Sequence, residues 1–89
     1  MKAVVTGVGK DRVGIIAQVC AALAENNVNV LDISQTVMQG YFTMMMVVDV
    51  SSATLPMALL CQAMEDKGTE MGLSIRLQRQ DIFDAMHRV

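Results

Sequence analysis

The sequence predicts an α+β fold in which two helices cover one face of a four-stranded antiparallel sheet. Two stretches carry apolar residues at helical spacing, and four have the β-branched or alternating pattern of strands, in the order β-α-β-β-α-β. The 89 residues, 53% of them hydrophobic, suffice for one modest core. No linker, repeat or low-complexity segment interrupts them, so we expect one domain with a core at 2–80 and a helical tail at 81–89.

The first strand and the first helix are predicted within residues 2–27. Lys2–Val8 is short, β-branched and followed by Gly9, which is typical of a strand that ends at a turn. The next segment has one apolar helical stripe, formed by Ile16, Val19, Cys20 and Leu23. Asp11 is expected to cap this helix, because an aspartate side chain accepts hydrogen bonds from the free amides of a first turn. Asn26-Asn27 is expected to end it.

The second strand is predicted to be irregular. Val28–Met38 alternates between apolar and polar residues, but the alternation changes phase near Val30-Leu31. A β-bulge produces such a shift, because it adds one residue to one strand of a pair. Gln39-Gly40 then provides a two-residue turn that leads into the third strand.

The third strand, Tyr41–Val50, is apolar at almost every position. Strands of this kind are usually central and covered on both faces, and Met45 and Val47 would lie on the face away from the helices. Asp81 is expected to cap a last short helix, Ile82–His87, whose apolar side carries Ile82, Phe83 and Met86. We expect this helix to cover the patch of Met45 and Val47, within its own chain or from a second one, by packing near the sheet edge or a dimer seam.

The second helix and the last strand have the clearest patterns. Leu55-Pro56 opens the helix, its apolar stripe is Met57, Leu60, Cys61 and Met64, and Gly72 ends it. In the last strand Leu73, Ile75 and Leu77 alternate with Ser74, Arg76 and Gln78, which predicts that the apolar set faces both helices. The complete order is that of the ferredoxin-like split βαβ fold.

Composition excludes several classes of partner. Seven Lys and Arg against nine Asp and Glu give a net charge of −2, whereas nucleic-acid binders usually carry a basic excess. No apolar run nears the ~20 residues needed to span a membrane, and the N-terminal apolar stretch is too short for a secretory signal. Cys20 and Cys61 stand far apart in apolar surroundings, so free core thiols and a cytoplasmic protein are expected.

No catalytic, metal-binding or cofactor-binding motif is present in the sequence. It lacks a P-loop, a GxGxxG segment and any supported nucleophile with an acid–base partner. His87 stands without a second His or a nearby Cys, and the nine methionines fit core packing better than copper binding. We therefore expect a protein that is not an enzyme and uses no metal and no cofactor.

Two segments go beyond the fold. Gly9–Ala17, a strand-to-helix turn with glycine at Gly14, and Asn27–Ile33, the entry to the second strand, together resemble the ACT domain. ACT domains are small regulatory modules that commonly bind amino acids. Gly9–Ala17, Asp32–Thr36 and Asp81–Val89 are similar to standalone single-domain ACT proteins of a bacterial and archaeal family, and less closely to the ACT domains of the glycine-cleavage regulator.

The resemblance implies a ligand site made of Asp11, Val13, Gly14, Asn29 and Leu31. In amino-acid-binding ACT domains the first turn supplies a polar residue and a close-approaching glycine, here Asp11 and Gly14, and the second strand supplies an asparagine, here Asn29. The physics agrees, since a helix N-terminus offers free amides and partial positive charge, and an amide side chain both donates and accepts. Structural interpretations stay open: Asp11 as a helix cap, Gly14 as a packing residue and Asn29 as a partner of backbone groups.

The predicted function is that of a small-molecule-responsive regulatory module, which binds an amino acid or a related metabolite at a dimer interface. The resemblance implies a homodimer paired through the second strand, whose residues 34–37 lack the charges or prolines that protect strand edges. A protein partner is also expected, whereas a nucleic acid or a membrane is not. The alternative is an interaction or dimerisation module with no physiological ligand.

Overall fold

The computed structural model describes residues 1–86. Within them it has four strands and three helices: β1 (Lys2–Lys10), α1 (Ile15–Glu25), β2 (Asn29–Met38), β3 (Tyr41–Asp49), α2 (Met57–Met71), β4 (Ser74–Arg79) and α3 (Gln80–Met86). This order confirms the predicted α+β, ferredoxin-like architecture. The last helix starts before the expected position, so Asp81 lies in its first turn and not at its cap. His87 and the rest of the predicted tail lie outside the described residues.

The sheet is antiparallel with the strand order β2-β3-β1-β4, so β1 and β3 are central. The register places Val5 opposite both Met46 and Leu77. Residues directly opposite each other share a face of the sheet, so these three side chains point to the same side. That side carries α1 and α2, and its residues form the core together with those of the helices.

The core follows the predicted periodicities closely. Ile75 and Leu77 on β4 are buried, whereas Arg76 between them is exposed. Of the predicted α1 stripe, Val19 and Leu23 are buried and Ile16 and Cys20 are half-buried, while Ile15 and Ala22 complete the buried face. Helix α2 buries Leu60, Met64, Gly68 and Met71, whereas Met57 and Cys61 of its predicted stripe are half-buried. Helix α2 ends at Gly72, whose φ of 74° is the left-handed conformation that glycine adopts most readily.

The predicted bulge and turn are both confirmed. The register between β2 and β3 shifts between Val30 and Asp32, so Leu31 is the extra residue of a β-bulge. Gln39 and Gly40 have φ values of 52° and 80°, which fit a type I′ turn between the two strands. Because of the bulge, Val30 and Ile33 point to the same face of the sheet even though their numbers differ by an odd count.

The expectation that β3 is covered on both faces is wrong. Its residues Phe42, Met44, Met46 and Val48 are buried under the two long helices, but Met45 on the other face is 43% exposed and Val47 is half-buried. Helix α3 contacts β1 and β4 and leaves much of this second face open. We call this second face, away from α1 and α2, the open face.

Candidate functional site

Helix α1 begins without a side-chain cap. Its cap position is Gly14, with φ 91° and ψ 4°, and no side chain bonds to the first-turn amides. The amide of Gln18 makes the first bond, donating to the Gly14 carbonyl oxygen at 3.0 Å. The predicted capping by Asp11 is wrong, because this residue lies three positions before the cap. The amides of the first turn therefore stay available to an outside acceptor.

Gly14 is required by the backbone and not by packing. Its positive φ is costly for residues with a side chain. A Cβ atom at this position would lie 3.9 Å from Nε2 of Gln18, the nearest atom apart from those of its chain neighbours and of its own helix backbone. The interpretation of Gly14 as a helix–strand packing residue is therefore wrong, and the open space in front of it belongs to a surface cleft.

That cleft, which we call the helix-start cleft, has a volume of about 460 Å³. It lies between the start of α1 and the C-terminal half of β2, and it is lined by Asp11, Arg12, Gly14, Ile15, Ile16, Ala17, Gln35, Thr36, Val37 and Phe42. The carboxylate of Asp11, the guanidinium of Arg12, several backbone amides and an apolar wall meet there. This is the chemistry that a zwitterion with an apolar side chain requires.

Two hydrogen bonds hold the turn that forms the cleft. The amide of Asp11 donates to the carbonyl oxygen of Gly40 in the β2–β3 turn, at 2.9 Å. The guanidinium of Arg12 donates through Nη2 to the carbonyl oxygen of Met71, at the end of α2, at 3.3 Å. The turn is thus fixed to two other elements, which places its charged side chains beside the start of α1.

The remaining predicted site residues lie elsewhere in the chain. Val13 is 97% exposed and does not line the helix-start cleft. Leu31 is the bulge residue and is 47% exposed. Asn29 lies at the opposite end of β2 from Gln35, about 20 Å away at about 3.3 Å per residue. A single chain therefore brings Asp11 and Gly14 together but keeps both apart from Asn29.

Asn29 has a polar cleft of its own, with a volume of about 370 Å³, lined by Ala24, Asn27, Val28, Asn29, Asp49 and Ser52. Nδ2 of Asn27 donates to the carbonyl oxygen of Ser52 at 2.9 Å, which fixes this corner. Asp49 faces Asn29 across the β2–β3 pair. Hydrogen bonds from the side chain and amide of Ser51 hold the pKa of Asp49 below its ordinary value, so its carboxylate stays charged at neutral pH.

Sequence reasoning missed several lining residues for a physical reason. Nothing in the local sequence pattern distinguishes Arg12, Gln35 or Asp49 from other surface residues. Their places in the two clefts depend on the strand register and on the β2–β3 turn, both of which join distant parts of the chain. The strongest available signal was the position of Arg12 inside the turn segment Gly9–Ala17.

The outer edge of β2 is free of strand partners in the described residues. Met38 and Tyr41 close a two-residue turn and therefore form a hydrogen-bonded pair. Since such pairs alternate, Ser34 and Thr36 also bond to β3, whereas the backbone groups of residues 33, 35 and 37 point outward. The amide of Ile33 agrees with this assignment, because it donates to Oδ1 of its neighbour Asp32 at 2.9 Å.

Metal and membrane chemistry find no support in this part of the chain. Residues 1–86 contain no group of three or more His, Cys, Asp or Glu side chains placed to hold a metal ion. Cys20 and Cys61 are free, half-buried thiols. None of the helices described here is long and apolar enough to cross a bilayer.

Comparisons with known proteins agree with this architecture. A family model described as the ACT domain matches residues 2–78. A UPF0237 protein of Bifidobacterium longum is 52% identical over 88 residues, which cover 99% of this chain and 98% of the relative. The ACT domain protein from Streptococcus pneumoniae has a similar solved structure, with a TM-score of 0.83 and 44% identity over 98% of both chains.

A more distant similarity concerns the fold alone. A solved structure described as a glycine cleavage system transcriptional repressor matches with a TM-score of 0.75 and 22% identity, over 89% of this chain and 45% of that one. Both similarities stated from the motifs, to single-domain ACT proteins and to the glycine-cleavage regulator, are therefore confirmed.

Proposed function

Because this chain belongs to the ACT-domain family, we propose that it is a regulatory module that binds an amino acid or a related metabolite where two copies meet. ACT domains are generally ligand-binding regulatory modules, and they often dimerise. The observation that carries the proposal is the helix-start cleft, in which the uncapped start of α1 lies beside the free edge of β2. We propose no catalytic activity.

The helix-start cleft offers a partner for each part of an amino acid. The first-turn amides of α1 and the guanidinium of Arg12 attract a carboxylate, since both present donors and positive charge. The carboxylate of Asp11 attracts an ammonium group. Val37 and Phe42 provide an apolar wall for a side chain. In this arrangement Asp11 is a specificity residue, because its carboxylate attracts an ammonium group and repels anionic ligands that carry no compensating positive charge.

The second half of the site comes from a second copy. Two-fold antiparallel pairing of β2 with itself places the start of one strand against the end of the other. Asn29 of the partner subunit and Leu31 of the partner subunit then approach the helix-start cleft. This pairing also satisfies the outward backbone groups of residues 33, 35 and 37, and it explains why the predicted site residues are divided between two ends of one chain.

A thermal-shift screen of the full chain against each proteinogenic amino acid at millimolar concentration tests the proposal. A ligand at 100 times its dissociation constant adds about 2.7 kcal/mol to the free energy of unfolding. For a domain of this size, that raises the melting temperature by roughly 10–20 °C. If no amino acid shifts the transition, the amino-acid version is wrong.

Variants locate the site. Asn29→Ala should abolish the ligand-induced shift and leave the melting temperature of the unliganded protein nearly unchanged, since Asn29 is exposed. Gln62→Ala, which removes an exposed amide on α2, is the matched control and should keep the full shift. A ligand shared by two chains must also strengthen dimerisation, by the same factor by which dimerisation increases the affinity for the ligand. Sedimentation with and without ligand can measure this factor.

One observation favours the alternative of an interaction module without a ligand. Four large apolar side chains of β2 are exposed, namely Leu31, Ile33, Val37 and Met38. Such a row is typical of a protein-binding strand whether or not a ligand is present. The alternative predicts a dimer of constant affinity and a melting temperature that no small metabolite changes.

A further inference from the structure

The open face of the sheet is covered at one end only. Val4 lies on this face, opposite Val47 and Gln78, and yet it is only 4% exposed. Helix α3 contacts β1 and β4 here, and Nε2 of Gln78 donates to Sδ of Met86 at 3.7 Å. Arg79 also binds Asp81 through two hydrogen bonds, of 2.7 and 3.2 Å. We call this the covered end of the open face.

The other end of the same face has no cover within the described residues. Its large apolar side chains Val8, Tyr41 and Met45 are 49%, 56% and 43% exposed. A groove of about 410 Å³ runs along it, lined by Thr6, Val8, Ser34, Gln35, Thr36, Thr43, Met44 and Met45. We call this the uncovered end. Within residues 1–86 no helix shields it as α3 shields the covered end.

Helix α3 has more apolar surface than its own sheet uses. None of its residues is buried, Phe83 is half-buried, and Ile82 and Met86 are 47% and 64% exposed. The helix therefore forms an apolar ridge at the covered end, while the uncovered end presents an apolar groove. Ridge and groove lie on one face of one chain and share β1, which α3 contacts and whose Thr6 and Val8 line the groove. A two-fold axis can therefore bring the ridge of each copy onto the β1 side of the other copy's groove.

Charge decides how two such faces would meet. The exposed side chain of Asp84 lies on α3, and Lys10 on β1 and Arg76 on β4 lie at the uncovered end or beside it. A two-fold axis across the strands brings α3 of each copy over Val8 and Lys10 of the other. An axis along the strands would instead bring α3 over the acidic Asp32 and Asp49 of the other copy.

We propose that the open face binds a second copy of this chain face to face, with α3 of each copy seated on the uncovered end of the other around a two-fold axis across the strands. The molecule extends 35 × 34 × 20 Å, so a broad face has room for the roughly 800 Å² per partner that a stable interface buries. This contact is separate from the β2 edge. Together the two contacts produce a tetramer with two kinds of interface.

The test uses the full chain, with molar mass measured by sedimentation from micromolar to millimolar concentration. In a Val37→Pro background, which removes an outward amide outside the groove and blocks β2 pairing, the chain should still form dimers through the open face. Asp84→Lys and Lys10→Glu should each raise the dissociation constant of this dimer by about three- to tenfold. The double variant should return it to within about twofold of the parent, because the charges are exchanged.

Several outcomes would overturn the proposal. If a Val37→Pro protein with a native circular dichroism spectrum stays monomeric at millimolar concentration, the face-to-face contact does not exist, whatever happens at the β2 edge. If the single charge reversals have no effect on the dissociation constant, or if the double variant dimerises no more tightly than the single variants, the predicted orientation of the two copies is wrong. If Val37→Pro fails to fold, the same charge exchange in the wild-type chain decides, through the ratio of tetramer to dimer. If the wild-type chain forms dimers but no tetramers, and if Asp84→Lys does not change the dimer dissociation constant, the face-to-face proposal is wrong. The ligand-binding proposal is unaffected by that result.

Discussion

The two outer strands of the sheet, β2 and β4, are built differently. β2 is ten residues long, nearly all of them exposed, and Asp32 is its only charged residue. β4 is six residues long, carries Arg76 and Arg79, and buries two of its residues. Both are edge strands of one sheet, so the difference must come from what covers each edge.

The β4 edge is closed from within the chain. Helix α2 packs on β4 so closely that a Cβ atom at Gly68 would lie 2.9 Å from Ile75 and from the carbonyl oxygen of Leu73. The amide of Leu73 donates to the carbonyl oxygen of Gly68 at 2.8 Å. The thiol of Cys61 donates to the carbonyl oxygen of Leu77 at 3.1 Å. The thiol of Cys61 thus occupies a β4 carbonyl, and the Leu73 amide is held in the turn that joins α2 to β4.

The β2 edge is left available to another chain. The one internal partner assigned to its outward backbone groups is the carboxylate of Asp32, which accepts from the adjacent amide of Ile33. A side chain that bonds to its own neighbour can rotate away, whereas a packed helix cannot. The comparison therefore teaches that edge protection in this fold depends on α2, and that the unprotected edge is the one beside the helix-start cleft.

Paired proline substitutions give the largest expected effect on this comparison. Gln35→Pro removes an outward amide and should abolish β2 pairing with little loss of monomer stability, because proline is tolerated where the amide faces away from the sheet. Ser34→Pro removes an amide that bonds to β3 and should lower the free energy of unfolding by about 1–3 kcal/mol. Sedimentation reports the first effect, and urea unfolding reports the second.

Reversed results would contradict the backbone assignment. If Gln35→Pro unfolds the protein and Ser34→Pro only dissociates it, then the outward groups belong to the other set of β2 residues. A one-residue change in this assignment would also move the bulge, so the experiment tests the position of Leu31 as well.

The closed edge should be sensitive to packing at α2. Gly68→Ala adds a methyl group against Ile75 and Leu73, and overpacking of this kind costs about 1–3 kcal/mol. That cost should exceed the gain of up to about 1 kcal/mol that alanine brings to a helix interior. The melting temperature should fall, while Thr69→Ala at the exposed neighbouring position should change stability by less than about 0.5 kcal/mol. An increased melting temperature in Gly68→Ala would show that α2 can shift away from β4.

The elements that the sequence predicted best are those decided by local periodicity. Ile75 and Leu77 alternate with exposed neighbours in the structure as in the sequence, because burial on one face of a strand imposes a period of two. The phase change in Val28–Met38 predicted a real bulge for the same reason. The turn at Gln39-Gly40 was predictable from the sequence because both positions of such a turn adopt positive φ, which glycine favours.

The errors arose where distant segments decide the outcome. Whether Met45 is covered depends on how far α3 reaches across the sheet, which no local pattern contains. Asp11 matched the composition of a helix cap, but the positive φ of Gly14 moved the cap three residues onward. Of the predicted site residues, Asp11 and Gly14 line the helix-start cleft, and the role of Asn29 and Leu31 depends on a second chain.

The single charge on the β2 edge should weaken pairing. Two copies of Asp32 approach each other when β2 pairs with itself, and like charges on facing strands are unfavourable by roughly 0.2–1 kcal/mol. Asp32→Ala should therefore lower the dimer dissociation constant by about two- to fivefold. Asp66→Ala, an exposed carboxylate on α2, is the control and should leave the constant unchanged. Weaker pairing in Asp32→Ala would mean that its bond to the Ile33 amide organises the edge for dimerisation.

The smallest expected effect concerns the thiol at the closed edge. Burial, with a further contribution from the negative charge of Glu65, raises the pKa of Cys61 above its ordinary value of 9.0. In a Cys20→Ala background, alkylation of Cys61 by iodoacetamide should be slower than in the urea-unfolded chain and should need higher pH, because the thiolate is the reactive form. Linkage fixes the sign for stability: the contribution of this thiol is fully present below the unfolded-state pKa and is lost as pH rises through the raised folded-state pKa. Identical rate–pH curves for folded and unfolded protein would show that Cys61 is solvated and that α2 does not seal the carbonyl of Leu77.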